Sequence, residues 1–153
     1  MKTPASPSAG YSGTPLWKKL GLDDGQSILA LAMPPSVRAA LPTELRFATE
    51  GRGPWHAILH FATTVDELAA RLPAHMAQLA PAQPKTKAAA ARRAGFIWVA
   101  WPKKIPARGL DKIASDITED RIRDVALPLG LVDIKVCAID GQWSGLQLVI
   151  RKV

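Results

Sequence analysis

The chain has 153 residues, 48% hydrophobic and 22% charged, which is typical of one globular domain with a buried core. No window approaches the roughly 20 apolar residues that cross a bilayer, and the amino terminus lacks the apolar core of a signal peptide. We therefore expect a cytoplasmic protein with no membrane partner. The single cysteine, Cys137, cannot form an internal disulfide and is expected to be an inert buried thiol.

The net charge of +7 is concentrated in one part of the chain. Residues 85–112 hold eight basic residues and one acidic residue, while the rest of the chain holds 12 of each sign. This segment could attract a phosphate-containing small molecule or an acidic partner. Nucleic acid is a weaker expectation, because arginines do not alternate with aromatic residues and no nucleic-acid module is recognisable. Solvated loops that aid solubility are the alternative.

The first part of the chain is rich in proline, serine and glycine. Residues 1–9 are expected to be a disordered tail, and residues 10–153 a single domain. Thr14 followed by proline predicts the N-cap of a helix over 15–20, whereas the sequence leaves open whether residues 11–14 cover a ligand crevice. An apolar strand over 28–32 and a short helix over 36–41, capped by Ser36, follow.

The middle of the chain alternates strands with a longer helix. A brief strand over 45–49 precedes an apolar strand over 56–62, and the link between them is too short for a helical crossover. The strand over 45–49 is therefore very short or not parallel. Thr63 or Thr64 caps the helix that follows, with Glu67 completing a capping box, and Pro73 is expected to kink or divide it. Residues 81–94 are interpreted as part loop and part possible helix.

The central strand is predicted over 96–101, between Gly95 and Pro102, because its six residues carry no charge. A mobile loop over 105–115 leads to a helix capped by Thr118 that ends near residues 128–130. Strands over 131–139 and 143–151 are joined by Asp140, Gly141 and Gln142, a strong hairpin signal. The fold class is therefore α/β: a three-layer, mostly parallel Rossmann-like sheet with one reversed strand, closed by a C-terminal antiparallel hairpin.

Ligands of open α/β sheets bind beyond the carboxyl ends of the strands, which directs attention to the residues after the central strand. Lysine side chains, the amides near a helix start and an aromatic wall can together receive an anionic group. The predicted ligand-binding residues are Trp101, Lys103, Lys104, Thr118 and Trp143. Core packing is the alternative for the two tryptophans. Acidic residues nearby could form structural ion pairs with the lysines: Asp116, Glu119 and Asp120.

Several motifs occur in the order typical of one family. They are the segments 10–16, 101–104, 116–120, 125–138 and 143–146. On these motifs the chain resembles the bacterial domain of unknown function 3052 family over residues 10–152, and it departs from that pattern in the longer, more basic stretch 81–94. The resemblance implies a small cytoplasmic bacterial protein; it supports the fold and leaves function open.

The element order also resembles a shortened class I methyltransferase. In that fold a glycine-rich turn after the first strand admits S-adenosylmethionine, and an acidic residue after the second strand holds the ribose. Here Met33, Pro34, Pro35 and Ser36 follow the first strand, and the two prolines replace the glycines and remove backbone donors, so no cofactor is predicted. Glu50 could imitate the ribose ligand, although a solvated carboxylate is the simpler interpretation.

Other chemistry finds little support. His56 and His60 are four residues apart, about 13 Å along a strand at ~3.3 Å per residue, too far to share one metal. No zinc spacing, Walker loop or nucleophile elbow is present, and Ser144 belongs to the hairpin. We therefore predict no catalytic residues and no metal, and a non-catalytic binding or regulatory module. The alternative is an S-adenosylmethionine-dependent methyltransferase-like enzyme, or another small transferase using a nucleotide-like cofactor.

Overall fold

A computed structural model of the chain describes residues 13–152, so the predicted tail over 1–9 and Tyr11 and Ser12 lie outside the described residues. The described part alternates helices and strands before it ends in a hairpin. The elements are α1 (Leu16–Lys19), β1 (Ile28–Leu31), α2 (Pro35–Ala39), β2 (Ala57–Phe61), α3 (Val65–Ala77), β3 (Phe96–Pro102), α4 (Glu119–Ala126), a 3-10 turn (Leu127–Leu129), β4 (Leu131–Ala138) and β5 (Trp143–Ile150).

The five strands form one mixed sheet in the order β1-β2-β3-β5-β4. β1, β2 and β3 are parallel, and β5 runs antiparallel to both of its neighbours, β3 and β4. Only β5 is therefore reversed, as predicted. The sheet is open rather than closed: β1 and β4 are its edge strands, and the hairpin extends one edge without returning to the other.

The reversal of β5 is produced by the turn over 140–142. The carboxylate of Asp140 accepts hydrogen bonds from the backbone N–H groups of Gln142 and Trp143, each at 2.8 Å. This arrangement closes the turn locally, and β4 and β5 then pair from Ala138↔Ser144 to Leu131↔Ile150. The antiparallel hairpin predicted from the sequence is confirmed.

The brief strand predicted over 45–49 is reduced to a single parallel bridge between Ala48 and Leu29. The backbone N–H of Ala30 donates to the Ala48 carbonyl, and that of Ala48 donates to the Ile28 carbonyl, both at 2.8 Å. The strand is thus parallel but very short, which is the first of the two possibilities the sequence allowed.

Two hydrophobic cores lie on opposite faces of the sheet. On one face, α3 and α4 pack against strand residues such as Ile58 and Val99. On the other face, α1 and α2 pack against residues that include Leu59 and Trp98. Successive strand side chains point to opposite faces, so an apolar run without polar alternation requires cover on both. The helices thus form a layer on each side of the sheet.

Three local predictions are corrected. Pro15, rather than Thr14, occupies the N-cap position of α1, and Pro34, rather than Ser36, occupies that of α2. Pro35 then takes the first helical position, because its fixed φ suits a helix start and its missing N–H costs nothing there. Residues 81–94 contain no helix; they hold an antiparallel bridge between Gln83 and Arg92. An exposed alanine-rich segment without an apolar face gains too little from packing to become helical.

The two longer helices begin as predicted. Thr64 Oγ1 accepts a hydrogen bond from the Glu67 backbone N–H at 3.2 Å, and Thr118 Oγ1 accepts one from that of Arg121 at 3.2 Å. Pro73 lies inside α3 on its exposed side and does not divide it. Across residues 13–152, none of the helices combines the length and apolar character needed to cross a membrane.

Candidate anion-binding cleft

A cleft of about 480 Å³ lies beyond the carboxyl end of β3. Its walls come from the end of β3, the loop that follows, the start of α4 and one residue of β5. The lining residues are Trp101, Lys103, Lys104, Ile105, Ile117, Thr118, Glu119, Asp120 and Ser144. Four of the five predicted ligand-binding residues therefore share this cleft.

Backbone hydrogen bonds fix the lysine-bearing loop to the hairpin turn. The N–H of Lys103 donates to the Gln142 carbonyl at 2.9 Å, and that of Ala107 donates to the Gly141 carbonyl at 2.7 Å. The side-chain amide of Gln142 also donates to the Asp111 carbonyl at 2.8 Å. The position of Lys103 beside the cleft is thus set by main-chain contacts.

The far end of the same loop is fixed to the start of α3. The Asp116 N–H donates to the Thr63 carbonyl at 3.3 Å. Its carboxylate accepts a hydrogen bond at 2.8 Å from the N–H of Val65, the first residue of α3. Asp116 therefore caps a helix that begins 51 positions earlier in the chain. This role was not foreseen, because the sequence placed Asp116 only at the opening of the last helix.

The carboxylates beside the cleft are held by Arg123. Its guanidinium binds Glu119 at 3.2 Å, Asp120 at 3.1 Å and Asp133 at 3.0 Å. The hydrogen bond to Asp133 is the main reason that the pKa of Arg123 is raised. This arginine therefore offsets part of the negative charge that would otherwise repel an anion in the cleft.

The ion pairs that the sequence allowed between these carboxylates and the lysines are not formed within residues 13–152. Asp116 faces Arg121 at 3.7 Å instead, and within residues 13–152 neither Lys103 nor Lys104 forms an ion pair. Lys104 is exposed and Lys103 is half-buried. Two ammonium groups without ion-pair partners in the described part of the chain thus border the cleft, together with the N-terminus of α4.

The two predicted tryptophans lie on opposite faces of the sheet. Trp101 is 8% exposed, lines the cleft and belongs to the core beneath α3 and α4. Trp143 packs in the other core, where its ring meets Phe61 edge-on at 5.2 Å between centroids. The strand register explains this separation: Trp101 pairs with Ser144, so the neighbouring Trp143 points to the opposite face. Trp143 is not brought to the cleft.

A buried histidine pair lies under α3, on β2 and α3. His60 is 1% exposed and His75 is 4% exposed. His60 Nε2 lies 3.3 Å from Glu67 Oε1, and His75 Nε2 lies 3.1 Å from His60 Nδ1. Because the carboxylate can only accept, His60 donates from Nε2, and His75 Nε2–H donates to the free Nδ1 of His60.

Both histidines are held in the neutral form. Burial lowers the pKa of His75 to about 4, with further contributions from His60 and Arg71. Burial also lowers the pKa of His60, although the hydrogen bond to Glu67 opposes this change. The structural role expected for His60 agrees with these contacts. His75 was missed, yet it lies three residues after Leu72 on the apolar stripe of α3, a position that could have identified it.

The turn after β1 departs from the glycine-rich pattern but retains an unusual backbone. Ala32 has a φ of 56°, in the left-handed region that favours glycine. Pro34 and Pro35 follow after Met33 and begin α2, so two backbone donors are missing from this turn. Glu50 is exposed, two residues beyond the bridge that Ala48 makes with β1. The residues at this turn therefore fit an adenosyl cofactor poorly.

Metal ligands do not converge in the described part of the chain: over residues 13–152 no group of three or more His, Cys, Asp or Glu side chains could hold an ion. Cys137 is half-buried, and burial raises the pKa of its thiol. A thiol with a raised pKa is a weak nucleophile at neutral pH.

No family model matches the chain, and no curated protein matches it either. Among solved structures, the chain is similar to a cysteine-to-alanine variant of LepI in complex with SAH and a substrate analogue, with 11% identity and a TM-score of 0.45. It is similar at 12% identity to a structure described as a pericyclic reaction enzyme (TM-score 0.44), and at 13% to LepI in complex with SAM (TM-score 0.41). Each likeness covers 89% of this chain and 39% of the other. The chain thus spans about two fifths of those proteins, and at these TM-scores the likeness assigns no function.

Proposed function

We propose that the chain is a binding module that holds a small anionic ligand, carrying a phosphate or carboxylate group, in the cleft beyond β3. The observation that supports this most directly is the charge arrangement. Lys103 and Lys104 border the cleft without ion-pair partners within residues 13–152, while Arg123 engages the neighbouring carboxylates. An anion placed between the lysines and the first turn of α4 is attracted by the ammonium groups and by the positive end of the helix dipole.

The cleft also offers apolar contact. Trp101 and Ile117 form its buried wall, and Ile105 stands on its rim with 86% of its surface exposed. Covering an isoleucine this exposed with a ligand stabilises the complex, because apolar surface is removed from water. The ligand class we infer is therefore a small molecule with an anionic head and an apolar part, rather than a bare inorganic ion.

The cleft supplies positioning rather than reactive groups. Its lining holds the hydroxyl groups of Thr118 and Ser144, and the part of the chain over residues 13–152 places no histidine or cysteine beside them. Thr118 is committed to the helix cap, and within residues 13–152 the Ser144 hydroxyl has no hydrogen bond to a carboxylate or amine of the lining that could activate it. A binding or regulatory role therefore accounts for the residues better than acyl or phosphoryl transfer does.

The test is calorimetric titration of pyrophosphate and of phenyl phosphate into the purified protein. We expect both to bind, phenyl phosphate more tightly, and the double variant Lys103→Ala/Lys104→Ala to lose at least about tenfold in affinity. Lys85→Ala/Lys87→Ala removes the same charge from exposed positions away from the lining and serves as the matched control. Equal affinity in both double variants would sink the assignment.

A second candidate function is binding of an adenosyl cofactor at the end of β1, which Ala32 favours. Its left-handed backbone reproduces a conformation that a glycine-rich turn would have, and Glu50 follows the neighbouring bridge. The two prolines count against it. Titration of S-adenosylhomocysteine decides: binding that is weakened by Glu50→Ala but not by Lys103→Ala/Lys104→Ala supports this candidate, and no heat of binding excludes it.

A further inference from the structure

A second, larger groove of about 700 Å³ lies at the opposite end of β3 from the cleft. Its walls are the last turn of α1 and the segment 83–94, and its floor includes Phe96 and Val149. Phe96 opens β3 and Val149 lies near the end of the antiparallel β5, so the floor lies at the amino-terminal end of β3 and the carboxyl-terminal end of β5.

The groove exists because the segment before β3 forms no helix. Gln83 and Arg92 exchange two backbone hydrogen bonds, at 2.8 and 2.9 Å, which makes a narrow loop instead. α1 has only four residues and covers a short length of the same face. Between these two elements the face of β3 and β5 borders the groove.

Cations surround this groove on three sides. Lys18 and Lys19 come from α1, Arg92 and Arg93 from the loop, and Lys135 from β4. Among the lining residues within 13–152 the one acidic residue is Asp23, which Arg92 engages at 3.8 Å. The lining therefore carries a strong net positive charge.

Hydrogen bonds fix some of these cations and leave others for a ligand. Lys135 Nζ donates to the Lys19 carbonyl at 2.9 Å, and Lys19 Nζ donates to the Ala138 carbonyl at 3.4 Å. Within residues 13–152, the side chains of Lys18 and Arg93 have no hydrogen-bond or ion-pair partner. Lys18 belongs to α1 and Arg93 to the loop, so each of the two walls supplies one exposed cation.

His56 adds a neutral donor to the lining. Its Nδ1 accepts a hydrogen bond from the Ser27 backbone N–H at 2.9 Å, which leaves the ring proton on Nε2. Burial and the nearby Arg92 lower the pKa of His56, so the ring is neutral at pH 7. An imidazole N–H and several side-chain amides can thus orient a polar ligand beside the cations.

We propose that this groove is a separate binding site for a phosphorylated small molecule of nucleotide size, with its flat apolar part on Phe96 and Val149 and its phosphate between Lys18 and Arg93. The volume lies within the roughly 300–1,000 Å³ typical of small-molecule sites. The lining holds a single aromatic side chain besides the His56 ring, whereas single-stranded nucleic acid is held by a series of stacking aromatics. A small ligand therefore fits the groove better than a strand.

The test is titration of ADP into nitrogen-15-labelled protein, followed by NMR. We expect shifts at the backbone amide of Gly21 and the side-chain amide of Gln147, both of which line the groove. The affinity for ADP obtained from these shifts is expected to fall at least about tenfold in Lys18→Ala/Arg93→Ala. It is expected to stay unchanged in Lys103→Ala/Lys104→Ala. The two sites are separate if Lys18→Ala/Arg93→Ala loses the ADP shifts in the groove but keeps the phenyl phosphate shifts in the cleft, and Lys103→Ala/Lys104→Ala does the reverse.

Three results would overturn the proposal. ADP could leave the groove amides unshifted at millimolar concentration, which removes the site. Inorganic phosphate could bind there as tightly as ADP, which removes the role of the apolar floor. A single-stranded oligonucleotide could bind more tightly than ADP with a steep salt dependence, which makes the groove a nucleic-acid surface. Circular dichroism of each variant verifies that the fold is retained.

Discussion

His75 donates a hydrogen bond from Nε2 to Nδ1 of His60 at 3.1 Å, in the core between α3 and β2. Glu67 accepts from the far side of His60, so the network runs from an exposed carboxylate to a buried ring. Neither histidine can take up a proton without a charge in the core or the loss of the hydrogen bond between them. The network therefore makes the folded state sensitive to acid.

Stability is expected to fall as the pH drops from about 6.5 to about 4. The folded pKa of His75 is about 4, below its ordinary value of 6.5, so in this window the unfolded chain binds a proton that the folded chain does not. The contribution is fully present above pH 6.5 and is lost toward pH 4, an effect of up to about 3 kcal/mol. Urea denaturation at a series of pH values measures it.

The matched variant is His75→Gln, whose side-chain amide can still donate to His60 but does not titrate. Its stability should change less than that of the parent protein across the same window. If the free energy of unfolding falls with pH equally in the two proteins, His75 does not cause the acid sensitivity.

Asp116→Ala is expected to destabilise the protein by about 1 kcal/mol, because the N–H of Val65 loses its acceptor at the start of α3. Asp116→Asn keeps an acceptor oxygen and should lose less. Thermal unfolding compares both with the control variant Asp124→Ala. Asp124 belongs to α4 and forms no ion pair within residues 13–152. If Asp116→Ala and Asp124→Ala melt at the same temperature, the cap contributes nothing.

Gly95→Ala is expected to be among the more damaging small substitutions. A Cβ at this position would overlap the Trp55 carbonyl oxygen and come within 3.1 Å of the Ala80 nitrogen, both of them backbone atoms. Overpacking of this kind costs about 1–3 kcal/mol. Gly25→Ala is the control, since its nearest neighbour is the flexible end of Arg92 and its expected cost is within about 0.5 kcal/mol. Similar unfolding midpoints for the two variants would contradict the close approach.

Arg123→Met should weaken anion binding although Arg123 does not line the cleft. The change leaves Glu119 and Asp120 without their guanidinium partner, so their charges oppose the lysines. Arg121→Met removes the same charge from the same helix, where its partner is Asp116, and should affect affinity less. Calorimetry with phenyl phosphate compares the two; equal losses would mean that only net charge matters.

The features that local chemistry determines were predictable from the sequence. The Asp140 turn, the Thr64 and Thr118 caps and the central strand are each specified by residues within a few positions of one another. The reversal of β5 alone followed from the hairpin and the helical connections, whereas the orientation of the short strand over 45–49 was left open. The predicted N-caps of α1 and α2 were off by one and two residues, because a proline can occupy either the cap or the first helical position.

The remaining features depend on contacts between distant segments. Nothing in the sequence indicated that Asp116 would reach Val65 or that Arg123 would reach Asp133, since both contacts depend on how loops and hairpin pack. The separation of Trp101 from Trp143 required the strand register. The groove could not be foreseen either, because residues 81–94 were compatible with a helix that would have filled it.

The anion-binding cleft itself is best tested by NMR mapping of phenyl phosphate on nitrogen-15-labelled protein. The cleft predicts shifts at the backbone amides of Lys103, Lys104, Glu119 and Asp120 and at the indole of Trp101, all of which disappear in Lys103→Ala/Lys104→Ala. Shifts confined to other parts of the protein, or shifts at the start of α4 that persist unchanged in the double variant, would contradict an anion-binding cleft at the carboxyl end of β3.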